Sequence, residues 1–87
     1  MANTKSAEKA ARQAEEHRAR NVALRSRMRT AVREVGTAII SGDKAAAQAT
    51  YKAAIPVIDT LVNKRIIHRN KAARHKSRLA ARIRAMQ

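Results

Sequence analysis

The sequence predicts an all-α protein, an antiparallel three-helix bundle whose first helix is extended at its amino-terminal end. The 87 residues include only two Gly and one Pro, so strong helix formers occupy almost every segment. Large apolar residues recur at helical spacing in two successive segments. Short turn-forming sequences separate these segments from each other and from a third helical segment, which favours antiparallel packing.

The first helix is predicted from an apolar stripe between Leu24 and Ile39, which repeats every three or four residues. Helix-forming composition continues upstream to about Lys5, but residues 2–21 contain no large apolar side chain. An unpacked helix of this length is marginal in water. We therefore expect residues 1–21 to form a basic helical arm that a binding partner orders, and residues 22–87 to form the three-helix bundle.

The second and third helices are predicted from the turns that precede them. Gly42 suits a left-handed helix end, and Asp43 suits the amino-terminal cap of helix 2. Pro56 should bend helix 2 without breaking it. A second turn should lie near 63–66 and lead into a third helix that runs to the end of the chain.

The predicted core is thin, because much of the apolar content is alanine and Tyr51 is the single aromatic residue. A chain this small seldom gains more than about 3–5 kcal/mol from its core, so ligand binding should supply much of the working stability. Ile66 and Ile67 should pack near the start of helix 3. We expect the large core residues to be Leu24, Met28, Val35, Ile39, Ile55, Ile58, Leu61, Leu79 and Ile83.

Charge is unevenly distributed along the chain. The net charge is +14, which favours binding to a polyanion. Residues 1–34 carry +5, residues 35–59 are neutral, and residues 60–87 carry +9 without any acidic residue. A surface whose charges served only solubility would carry acidic and basic residues together along every helix. Helices 1 and 3 are therefore the predicted binding surface, and helix 2 is the predicted scaffold.

Folded RNA is the polyanion that the residue types favour. Arginine can bridge two phosphate oxygens with its planar fork, and nearby amides and hydroxyls can contact phosphate or ribose. The chain has almost no aromatic side chains on which splayed bases could stack. Recognition of shape and phosphates is therefore expected.

Enzymatic and metal chemistry find no support in the sequence. His68 and His75 are seven residues apart, whereas two helical metal ligands favour a spacing of four. There is no cysteine, no Gly-rich phosphate loop and no nucleophile beside a base. Glu15 and Glu16 should pair with neighbouring arginines. We expect no catalytic residue, no metal, no cofactor and no small-molecule substrate.

Two other classes of protein share the basic, helical composition. A nucleoid-type DNA-binding protein is the main alternative, but it predicts a dimer seam or a recognition helix with one basic face. A membrane-surface helix would need bulky apolar residues opposite its basic face, where the arm has alanines. No apolar stretch approaches the roughly 20 residues that span a bilayer. Because the chain has no cysteine pairs, the cytoplasm is the expected compartment. We expect no membrane partner and no homo-oligomer.

Several segments together resemble the S-twenty family of bacterial small-subunit ribosomal proteins. They are MANTKSA at 1–7, RN at 20–21, RSRMRT at 25–30, GDKAA at 42–46, PVID at 56–59 and IHRNKAARHKSRL at 67–79. The resemblance spans nearly the whole chain, and NKAARHKSRL at 70–79 is its most specific part. It implies a three-helix bundle with an extended first helix. It also implies a component of the ribosomal particle, bound early in assembly to the 5′ domain of small-subunit ribosomal RNA, near the bottom of the particle and the penultimate stem.

The chain departs from this family at two places. Glu8, Ala10 and Ala11 stand where basic residues are frequent in the family, which predicts weaker RNA binding by the arm. Arg65 stands where glycine is common, which predicts another geometry for the second turn, with Asn63 in the left-handed region. The expected RNA contacts are Asn3, Lys5, Lys9, Arg12, Arg18, Asn21, Arg25, Ser26, Arg29, Thr30, Arg33, His68, Asn70, Lys71, Arg74, His75, Lys76, Ser77 and Arg78.

Overall fold

A computed structural model describes residues 4–86 of the chain. Over that range it consists of three α-helices and no strand, with α1 at Thr4–Ser41, α2 at Lys44–Asn63 and α3 at Arg69–Arg84. The predicted all-α bundle with a long first helix is confirmed. The molecule measures 67 × 21 × 14 Å, because α1 continues well beyond the segment that packs against α2 and α3.

The turn between α1 and α2 has the predicted geometry. Gly42 adopts φ +82°, and its N–H donates to the carbonyl of Ile39 at 3.1 Å. Asp43 caps α2, because its carboxylate accepts a hydrogen bond from the Ala46 N–H at 3.1 Å. So short a connection folds α2 back antiparallel along the second half of α1.

Helix α2 continues through its internal proline, as predicted. Pro56 lies well inside a helix that spans Lys44–Asn63. It offers no N–H to the preceding turn. Its own carbonyl accepts the Thr60 hydroxyl at 2.8 Å. The helix therefore carries Ile58 and Leu61, both fully buried, into the core beyond the proline.

The turn between α2 and α3 differs from the prediction. Asn63 is still helical, and Arg65 takes the left-handed conformation with φ 59°. The Arg65 N–H donates to the Val62 carbonyl and the Ile66 N–H to the Leu61 carbonyl, both at 2.9 Å. This pair of bonds is a Schellman helix end. The left-handed residue is fixed by its place in this motif, which outweighs the greater tolerance of Asn for that region.

The core consists of two clusters, each with residues from all three helices. Among the expected large core residues, Leu24, Ile39 and Ile55 are only partly buried. Four alanines, Ala38, Ala47, Ala54 and Ala72, are buried in the core with the large apolar residues. One cluster contains Val35, Ala38, Ala47, Ala54, Leu79 and Ile83. The other contains Met28, Ile58, Leu61 and Ala72.

The amino-terminal half of α1 lies outside both clusters. Every side chain from Thr4 to Arg20 is exposed, as expected for a segment without large apolar residues. Val22, at the border with the bundle, is also 58% exposed. Nothing in this segment of the helix is stabilised by packing against α2 or α3.

Candidate nucleic-acid interface

A groove of about 810 Å³ runs between α1 and the beginning of α3. It brings together two sets of basic residues that are distant in sequence. We call it the α1–α3 groove. Ten side chains line it: Arg25, Met28, Arg29, Val32, Arg33, Ile66, Ile67, His68, Lys71 and His75. Six of these ten were predicted RNA contacts, and within residues 4–86 no acidic side chain lines the groove.

The α2–α3 turn contributes Ile66 and Ile67 to the lining of the groove. The Schellman end at Arg65 turns the chain so that Ile66 packs on the cluster that contains Leu61, the usual apolar contact of this motif. Arg25 Nη2 donates to the Ile66 carbonyl at 3.3 Å, which ties α1 to the turn. The next residue, Ile67, lies beside Ile66 in the groove.

His68 sits where the turn becomes α3. Its Nδ1 accepts a hydrogen bond from the Asn70 N–H at 3.0 Å, so its side chain caps the helix. An acceptor at Nδ1 places the imidazole proton on Nε2. His68 therefore presents an N–H donor from the atom that is not used in the cap.

His75 lies two turns further along α3 in the same groove. Partial burial lowers the pKa of His75 below its ordinary value, and the positive charges of Lys71, Arg78 and Arg74 lower it further. Arg29 and Arg33 of α1 line the groove with it. These effects favour the neutral form of His75 in the free protein.

One face of α3 continues the basic surface beyond the groove. Lys71, Arg74, His75 and Arg78 line a second depression of about 370 Å³. Their spacing of three and four residues places them on one side of the helix. Lys71 and His75 belong to both depressions. The groove and this face therefore form one surface.

The Lys76 side chain points toward α2 and away from this basic face. Its Nζ lies 2.9 Å from Asp59 Oδ1 of α2, and its backbone carbonyl accepts the Tyr51 hydroxyl at 3.1 Å. The side chains of both charged partners are less than half exposed. Lys76 was a predicted RNA contact, but the structure separates it from the face formed by Lys71, Arg74 and Arg78 and gives it a partner on α2.

The predicted contacts on the arm are spread along an exposed helix. Lys5, Lys9 and Arg12 are exposed, whereas Arg18 forms an ion pair with Glu15 at 2.6 Å. Both side chains of that pair are well exposed, so it contributes little to stability. The predicted contact at Asn3 lies outside the described residues.

The predicted uncharged contacts do not gather at one place. Ser26, Thr30, Asn70 and Ser77 are exposed, and none of them lines the α1–α3 groove. Asn21 is partly buried, and its Oδ1 is a buried atom without a hydrogen-bond partner in the structure. The four exposed residues lie on the surface with the arginines, but they do not form one site with Asn21.

The apolar floor of the groove was missing from the predicted site. Met28, Val32, Ile66 and Ile67 lie among its cationic side chains. Their apolar character suggested packing alone, and Ile66 and Ile67 were expected near the start of α3 for that reason. Two isoleucines directly before a basic helix were the available signal, but only the turn geometry shows that they face α1.

Other kinds of site find little support in the residues that the structure covers. None of its helices is long and apolar enough to cross a membrane. Residues 4–86 contain no group of three or more His, Asp or Glu side chains placed to hold a metal ion.

Comparison with known proteins agrees with the resemblance in the sequence. The family model described as Ribosomal protein S20 matches residues 2–84. A protein of Thioalkalivibrio sulfidiphilus named Small ribosomal subunit protein bS20 is 65% identical over 99% of this chain and 100% of its own length. Proteins with the same name are 58% identical in Methylococcus capsulatus, over 99% of this chain and 94% of theirs, and in Tolumonas auensis, over the whole of both chains. The chain therefore belongs to the Ribosomal protein S20 family, and it is a cytoplasmic ribosomal structural protein and not an enzyme.

Proposed function

We propose that this chain is a structural constituent of the small ribosomal subunit that binds small-subunit (16S) ribosomal RNA directly and helps its assembly. The observation that carries this proposal is the α1–α3 groove. There Arg25, Arg29 and Arg33 of α1 meet His68, Lys71 and His75 from the start of α3. The related proteins named above are called small ribosomal subunit proteins, which supports the same particle as the partner.

The charge distribution supports RNA as the partner of this surface. Residues 60–87 carry nine basic and no acidic residues. Within residues 4–86, Lys76 alone among these nine is paired with an acid. Phosphates neutralise such a surface and release counterions, which contributes strongly to affinity. A ligand that binds only the folded state also stabilises it. Binding should therefore help a bundle whose core is rich in alanine to persist.

The two basic helices have different roles in this proposal. The groove and the α3 face of Lys71, Arg74 and Arg78 form one continuous surface for phosphates. The arm, with Lys5, Lys9 and Arg12 exposed along it, extends the contact to RNA beyond the bundle. Asp43 and Asp59 balance Lys44 and Lys52 on the middle segment, so α2 serves as scaffold.

A charge-reversal pair tests which helices bind. We expect Lys71→Glu with Arg74→Glu to weaken binding to the 5′ domain of the RNA by a factor of about 10 or more. The matched control is Lys44→Glu with Lys52→Glu, which changes the net charge by the same amount but acts on α2. This control should change affinity by less than about threefold. Equal losses in a filter-binding assay would refute the placement of the interface on α3.

Salt dependence and competition test the kind of recognition. If about eight phosphates are neutralised, log K should fall with log salt at a slope of about −6 to −7. Duplex DNA of equal length should compete poorly at physiological salt, because the surface is shaped by two helices and contains no single recognition helix. Equal competition by DNA would favour a general nucleic-acid binder over a ribosomal RNA protein.

A further inference from the structure

The floor of the α1–α3 groove is aliphatic, although its rim is cationic. Val32, Ile66 and Ile67 are only partly buried and line the groove together with Met28. A surface that tracks phosphates alone requires cations and hydrogen-bond donors, and it gains nothing from a recess of aliphatic side chains. The groove therefore has a feature that phosphate binding does not explain.

We infer that the α1–α3 groove takes one unpaired RNA nucleotide, with its base against the aliphatic floor and its flanking phosphates on the cationic rim. This inference rests on the proposed function, since it concerns the same RNA-binding surface. It adds recognition of a base to the recognition of phosphates by the basic surface. The volume of about 810 Å³ lies within the range of pockets that hold small organic ligands.

The chemistry of the lining fits a base better than it fits an acidic peptide. A base has an apolar face, which the floor can cover, and planar guanidinium groups such as that of Arg29 can stack on its other face. Carboxylate side chains would satisfy the rim but leave Ile66 and Ile67 in contact with water. An unpaired nucleotide satisfies both the floor and the rim.

The rim also selects the edge of the base that it contacts. Donors predominate on the rim, because Arg25, Arg29, Arg33 and Lys71 are donors only and the Ile66 carbonyl already accepts a hydrogen bond from Arg25. The base should therefore turn an edge with acceptor atoms toward the rim. Uracil has two carbonyl oxygens, which makes an oligouridine a suitable probe.

Methyl NMR on the full chain tests this inference directly. Tetrauridine is compared with an abasic tetranucleotide that has the same phosphates. We expect tetrauridine to shift the methyl signals of Met28, Val32, Ile66 and Ile67, and to bind about fivefold or more tightly than the abasic probe. The methyl signals of Val57, which packs on the same core cluster but lies outside the groove, should not move.

A matched pair of variants isolates the floor. Val32 and Val57 are both partly buried against the cluster that contains Met28 and Ile58, and only Val32 lines the groove. Val32→Ala should reduce the preference for tetrauridine over the abasic probe at least twofold, whereas Val57→Ala should keep it. Should either variant unfold, the comparison of the two probes on the unaltered chain still decides the question.

The outcomes separate this inference from the proposed function. Equal binding of the two probes would show that the groove recognises phosphate alone and would overturn the inference. Larger methyl shifts with a tetraglutamate peptide than with tetrauridine would also overturn it, because they would assign the groove to a protein partner. Binding to the 5′ domain of 16S RNA is measured in parallel. If the chain does not bind the 5′ domain, the proposed function is wrong. If the chain binds the 5′ domain but binds the two small probes equally, only this inference is wrong.

Discussion

Replacing Arg65 with glycine should stabilise the free protein. Arg65 has φ 59°, a conformation that costs an L-residue about 1–2 kcal/mol. Glycine avoids that cost but loses about 0.5–1 kcal/mol more through the entropy of the unfolded chain. The hydrogen bonds of the turn are made by main-chain N–H groups, so the substitution keeps them. The free energy of unfolding should rise by about 0.5–1 kcal/mol.

Thermal unfolding followed by circular dichroism measures this change. For a chain of this size the expected gain corresponds to an increase in Tm of about 2–8 °C. Removal of a positive charge from a basic surface also stabilises, so Arg65→Ala is the control for charge. Lys64→Gly is the control for position, because Lys64 has φ −87° and glycine there should destabilise the protein.

The difference in Tm between Arg65→Gly and Arg65→Ala measures the cost of the left-handed backbone conformation at this position. Both variants remove the charge, but alanine keeps the unfavourable backbone conformation. We expect the glycine variant to unfold at the higher temperature. If the alanine and glycine variants had the same Tm, the left-handed conformation at Arg65 would have no energetic cost, which would refute this prediction.

Three further predictions concern the core, the arm and the groove. Ile58 is fully buried, so Ile58→Ala should lower the free energy of unfolding by about 2–4 kcal/mol; an unchanged Tm would contradict its place in the core. Amide hydrogen exchange should show residues 7–18 unprotected in the free protein and protected with RNA, while residues 28–39 are protected in both states. Protection of residues 7–18 without RNA would refute the prediction that RNA orders the arm. The pKa of His75 lies below its ordinary 6.5, so the unfolded chain binds more protons and stability should fall as pH drops below about 6.5. His75→Gln should flatten this pH dependence, and an unchanged slope would show that another group is responsible.

The helices and the first turn were predictable because local interactions determine them. The apolar stripe of α1 and the pair Gly42–Asp43 each act within a few residues of the chain. Gly42 takes the left-handed conformation, and Asp43 accepts the capping hydrogen bond, as expected. In such places propensity, capping and packing favour the same structure.

The second turn and the groove depend on distant contacts, which residue spacing does not encode. Asn63 has the better intrinsic tolerance for the left-handed region. The packing of Ile66 near Leu61 and the two Schellman hydrogen bonds place that conformation at Arg65 instead. The same contact turns Ile66 and Ile67 toward α1. A local preference of this kind is small compared with the burial of an isoleucine side chain.

Two contacts with α2 help to orient the basic face of α3. Every charged residue of α3 is basic, so repulsion alone would not favour one rotation of that helix over another. Asp59 holds the Lys76 ammonium at 2.9 Å, and Tyr51 donates to the Lys76 carbonyl. With Lys76 directed toward α2, the face of Lys71 and Arg78 is free to continue the α1–α3 groove. Under the proposed RNA-binding function, Asp59 and Tyr51 of α2 would therefore act indirectly, by helping to orient the basic face of α3.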